Sequence, residues 1–79
     1  SQKIGNKNLE GGTLGNIGFY HHLLGESRKG LEYLEKSAEI LLEINEKQRL
    51  SMTLNNLGMI YYDLGEIKKS LDYFQQSLR

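Results

Sequence analysis

The sequence predicts an all-α fold of two antiparallel helical hairpins stacked as a short α-solenoid. Three observations carry that prediction: the chain repeats itself at a spacing of 40 residues, its apolar residues recur at helical intervals, and glycines separate those intervals.

The repeat decides the architecture. Residues 13–39 match residues 53–79 without a gap, with 11 identities in 27 positions, among them Asn16/Asn56, Gly18/Gly58, Gly25/Gly65, Leu31/Leu71 and Tyr33/Tyr73. Periods of roughly 20 to 50 residues mark stacked units, each unable to bury its apolar face alone. The opening Ile4-Gly5-Asn6-Lys7 falls in the same register as Ile44-Asn45-Glu46-Lys47. Residues 1–7 are therefore expected to be the tail of a preceding repeat, with repeat one at 8–44 and repeat two at 47–79, all within a single domain. The chain opens without methionine and ends at Arg79 inside a helical pattern, as a segment of a longer protein would.

Taken in order, the first helix is expected at 8–24, with Leu14, Ile17, His21 and Leu24 at i, i+3, i+7 and i+10 as its inward stripe. Gly25 ends it, because a left-handed residue at a helix C-terminus has no steric cost for glycine. The second helix, at 27–44, buries Leu31, Leu34, Ala38, Leu41 and Ile44. The third, at 47–64, repeats the first through Leu54, Leu57, Tyr61 and Leu64, and Gly65 ends it. The fourth, at 67–79, carries Ile67, Leu71, Phe74 and Leu78. Gly18 and Gly58 sit inside helices at a cost of about 1 kcal/mol each relative to alanine, which calls for close approach of a partner helix.

The junction between repeats, Glu43 to Lys47, has neither glycine nor proline. Its favoured reading is an ordinary turn in which Asn45 caps the third helix and Gln48 completes a capping box. The alternative is one continuous helix over 27–64, through which two chains would exchange hairpins and form a homo-oligomer.

These residues resemble the tetratricopeptide repeat, whose first helix reads W-x2-L-G-x2-Y and whose second carries small and aromatic residues at set positions. Leu54, Leu57, Gly58 and Tyr61 fill the first-helix slots, and Ser70, Phe74 and Ser77 those of the second; the first copy has Leu14, Ile17, Gly18, His21, Gly30, Leu34 and Ser37. The chain departs from the family in lacking proline and tryptophan, in His21, and in its period of 40, which resembles a subgroup with extended second helices. The resemblance implies a protein-binding scaffold whose partner lies in a concave groove lined by the first helices. It also implies that Asn16 and Asn56 hydrogen-bond a peptide backbone, a task suited to an amide that both donates and accepts.

Helix geometry places a second stripe beside the core stripe: Gly12, Gly15, Asn16, Phe19, His22 and Leu23 on the first helix, then Met52, Asn55, Asn56, Met59, Tyr62 and Asp63 on the third. Phe19, Met59 and Tyr62 give that groove an apolar floor suited to a helix or extended peptide. Gly15 and Asn55 stand where the family's carboxylate-gripping members carry lysine, so capture of a C-terminal carboxylate is not expected.

Composition narrows the function classes. Ten basic and ten acidic residues cancel, so no positive surplus draws nucleic acid. No apolar run reaches the roughly 18 residues of a membrane span, and the absence of cysteine removes thiolate sites and disulfides; a cytoplasmic protein is expected. His21 and His22 are adjacent and point about 100 degrees apart on a helix, so no shared metal is expected. Glu35, Glu39 and Glu43 form an acidic row read as a solvated outer face, and with no nucleophile or phosphate loop beside it no enzymatic activity and no cofactor are expected. Packing alone must hold a chain of 79 residues, worth about 4 to 12 kcal/mol, and two repeats fall short of the three usually needed for a continuous core. Self-association is the corollary.

Overall fold

The computed structural model describes residues 2–79. Four helices make up the described residues: α1 (Gln2–Leu23), α2 (Ser27–Glu43), α3 (Lys47–Asp63) and α4 (Ile67–Ser77). α1 pairs with α2 and α3 with α4 as antiparallel hairpins, α2 bridges the pairs by packing on α3, and α1 meets α3 only briefly. The result is a slab of 41 × 27 × 13 Å, as stacked hairpins produce.

All three corners use one device. Gly25, Asn45 and Gly65 take positive φ of 84°, 58° and 82°. The residue after each donates its N–H back five positions: Glu26 to the His21 carbonyl (2.8 Å), Glu46 to Leu41 (2.9 Å) and Glu66 to Tyr61 (2.9 Å). Gly25, Asn45 and Gly65 donate to His22, Leu42 and Tyr62. This double bond satisfies carbonyls orphaned at a helix end. Each following glutamate is the N-cap of the next helix without a side-chain capping bond, its carboxylate set near the positive end of the helix dipole. The corners at 25, 45 and 65 thus recur every 20 residues, half the sequence repeat.

Two junction expectations are corrected. The chain turns at residues 44–46, so the continuous helix over 27–64 does not form. Asn45 does not cap α3 either, and no capping box forms with Gln48; Asn45 is the left-handed terminator of α2, and Glu46 takes the N-cap position. The first helix also starts earlier than residue 8. Residues 2–7 continue α1 without a break, and Gly5 stays helical although it has the same sequence spacing as the three corners.

The core is centred on the inner pair of helices, with Leu34, Leu54, Leu57, Ile60 and Tyr61 at its heart and Leu31, Ala38, Leu50 and Tyr73 packed around them. Ile40 and Ile60, outside the expected stripes, are buried because α2 and α3 are covered on two sides. Conversely Ile17, Leu24, Leu64, Ile67, Leu71 and Leu78 are exposed, contrary to expectation. They lie at corners or on the outer helices α1 and α4, which have a neighbour on one side only.

The buried face of α1 is made of glycine. Gly11, Gly15 and Gly18 point at Leu41, Ser37 and Leu34 of α2. At Gly18 a Cβ would come within 2.8 Å of both the Gly30 carbonyl oxygen and Leu34 Cγ, so the two backbones touch. Gly58 likewise leaves room for the Phe74 ring. Serines close the remaining space: Ser37 donates to the Gly11 carbonyl (2.7 Å) and Ser70 to that of Gly58 (2.8 Å).

Candidate functional site

The N-terminal half of α3 and the facing side of α1 flank a cleft of about 490 Å³ lined by Asn8, Gly12, Gly15, Asn16, Glu46, Gln48, Arg49, Met52, Thr53 and Asn56. Asn16, Met52 and Asn56 are thereby brought together as expected on helix geometry, with Gly12 and Gly15 between them. Neither the Asn16 nor the Asn56 amide is hydrogen-bonded to another side chain among the described residues. Both keep donor and acceptor capacity for a ligand.

Five other residues complete the wall, among them the buried Thr53. The Arg49 guanidinium lies across Gly12, where a Cβ would collide with it, and makes no ion pair among the described residues. Asn8 donates from Nδ2 to Glu46 (3.4 Å), while its Oδ1 is buried without a partner among the described residues. Gln48 lies at the edge of the cleft. None of Asn8, Glu46, Gln48 or Arg49 was marked by the second stripe. Asn8 lies near the start of α1, and Glu46, Gln48 and Arg49 belong to the 43–47 junction and the first turn of α3, which read as connection rather than as wall. A lone arginine three residues before Met52, on the same helix face, was the available signal.

The remaining expected site residues are distributed elsewhere. Met59, Tyr62 and Asp63 line a separate hollow with Phe74, of about 350 Å³, toward the other end of α3. Asn55 is exposed and its amide points along its own helix to Met59 Sδ at 3.8 Å. Leu23 is exposed at the end of α1. Phe19 is half-buried and its ring sits 6.3 Å from that of His22.

The two histidines have separate duties. His22, read above as a groove residue, is a strut: Nε2 lies 3.1 Å from Asp63 Oδ2, tying α1 to α3, and Nδ1 lies 3.2 Å from Ser27 Oγ. His21 stacks on Tyr33 at 5.3 Å and bonds Glu26 at 2.8 Å, a contact that holds the Glu26 carboxyl below its usual range. Forty residues on, Tyr61 stacks on Tyr73 at 5.4 Å with Lys69 over its face. The Tyr61 hydroxyl donates to Glu35 (3.0 Å), so one member of the acidic row joins the inter-repeat contact. Burial, then the neighbouring Glu35 carboxylate, pushes the Tyr61 phenol up to about 12.

Among the described residues no three His, Asp or Glu side chains converge as a metal site would require, and no helix is long and apolar enough to cross a membrane. The cleft offers amides, one cation in Arg49, one carboxylate in Glu46 and a thioether along a shallow surface, groups suited to holding a ligand by polar and apolar contact. The model of the tetratricopeptide repeat family matches residues 9–79. No significant match to the chain is found among curated proteins or solved structures.

Proposed function

From the premise that this chain belongs to the tetratricopeptide repeat family, a protein-interaction repeat, we propose that the cleft between α1 and α3 binds an extended segment of a partner protein. Asn16 and Asn56 hold the peptide backbone, Met52 packs against its apolar side chains, and Arg49 receives an acidic one. The observation that carries this reading is the pair of repeat-equivalent amides, free of side-chain partners and facing one cleft. A peptide backbone presents alternating N–H and C=O groups, and two amides set on successive first helices match that alternation. The hollow lined by Met59, Tyr62 and Asp63 extends the contact for a longer segment. The strut between His22 and Asp63 keeps the two first helices at a fixed spacing.

Balanced charge favours a protein partner over nucleic acid, and a chain without cysteine suits the cytoplasm. The role proposed is that of a protein-binding scaffold, in keeping with a family of protein-interaction repeats.

An array of immobilised peptides of varied sequence tests the assignment. The chain should select acidic peptides, and Asn16→Ala with Asn56→Ala should lower binding at least tenfold while circular dichroism stays unchanged. Arg49→Glu should shift selection toward basic peptides. Undiminished binding by the double variant would remove the cleft as the site.

A further inference from the structure

The internal repeat makes it possible to ask what each outer face would meet if it were an inner one. On α3, Leu57 and Ile60 are 1% and 0% exposed because α2 covers them. Their equivalents on α1, 40 residues earlier, are Ile17 and Tyr20, which are 37% and 67% exposed. On α2, Leu31 and Ala38 pack against the cluster that includes Leu57 and Ile60. Their equivalents on α4 are Leu71 and Leu78, 56% and 88% exposed. The molecule therefore carries, once each and at opposite ends, the two halves of an interface it already contains in its middle.

We propose that a second copy of this chain docks head to tail, the Ile17–Tyr20 face of α1 in one copy seating on the Leu71–Leu78 face of α4 in the other. The contact continues the junction between α2 and α3 by the same displacement. Its polar part is matched as well: Tyr61 donates to Glu35 within the chain, and the equivalent pair across copies is His21 with Gln75, an imidazole facing an amide. Each copy presents two different faces, so the contact is heterologous and no two-fold axis closes it. Association then lengthens the slab along the stacking direction. Asn16 and Asn56 lie on the cleft rather than on either face, so this association stands apart from peptide binding.

Sedimentation velocity on the chain at rising concentration, with two complementary variants, tests the proposal. The native chain should show a weight-average mass that climbs past the dimer without a plateau. Tyr20→Lys, which spoils the α1 face, and Leu71→Lys with Leu78→Lys, which spoils the α4 face, should each sediment as monomers. Mixed in equal amounts they should form one-to-one heterodimers and stop there, since each retains the face the other needs. All three positions are exposed, so the variants should keep native circular dichroism; if a lysine variant unfolds, the serine replacements read the same outcomes. A native chain that stays monomeric, a variant that associates alone as the native chain does, or a mixture that stays monomeric would each overturn the proposal.

Discussion

At the residue scale the glycines divide by what surrounds them, and that division predicts opposite responses to the same substitution. A methyl group at Gly18 meets the Gly30 carbonyl and Leu34, neither of which can retreat without moving a helix. Gly18→Ala should cost about 1 to 3 kcal/mol in urea unfolding despite alanine's better helix propensity. Gly5 is helical with nothing within 4 Å of a Cβ, so Gly5→Ala should leave packing untouched and add up to about 1 kcal/mol. Tyr61 supplies a pH test. Its phenol ionises at about 12 in the folded chain, above the ordinary value of 10.0, so the folded state favours the protonated form. The stability this contributes is complete below about pH 10 and lost as pH rises through about 12. Burial raises the Tyr73 phenol as well, so phenolate absorbance should show two tyrosines titrating above the ordinary range, and Tyr61→Phe should remove the step near 12. The sequence made Gly18 legible as a contact, because a mid-helix glycine needs a reason. It concealed Gly11 and Gly15, since a buried face built of glycine adds nothing to a hydrophobic pattern and the leucines beside it attract the assignment instead.

At the scale of elements the corners show how much a local signal can resolve. Gly25 and Gly65 were readable as left-handed terminators because glycine has few other uses after a helical stripe. Asn45 was not, because asparagine serves equally well as an N-cap and as a left-handed C-terminal residue, and only the hydrogen bonds decide between them. Its φ of 58° carries a steric cost that glycine lacks. Asn45→Gly should therefore raise the unfolding free energy by about 0.5 to 1 kcal/mol, read as a higher urea midpoint, with helix content and oligomeric state unchanged. The cleft was half legible for a related reason. Asn16, Met52 and Asn56 follow from helix spacing, whereas Glu46 and Arg49 enter it only because the corner folds their turn back toward α1, where Asn8 meets Glu46.

On the scale of the whole molecule the repeat identified the fold, but two repeats leave as much end as middle. The expected stripes hold at Leu34, Leu41, Leu54, Leu57 and Tyr61 and fail at Ile17, Leu24, Leu71 and Leu78, because periodicity reports what a face is suited to meet and only the structure says whether a neighbour is there. The same one-dimensional order has a kinetic side. Each helix in the 13 Å thick slab packs mainly on the one before it and the one after it. The chain thus closes only short loops on its way to the native state, and low contact order of this kind belongs to folding in microseconds to milliseconds. A polypeptide emerging from its N-terminus can complete the α1–α2 hairpin before α4 exists, so the slab is assembled in the order in which it is written.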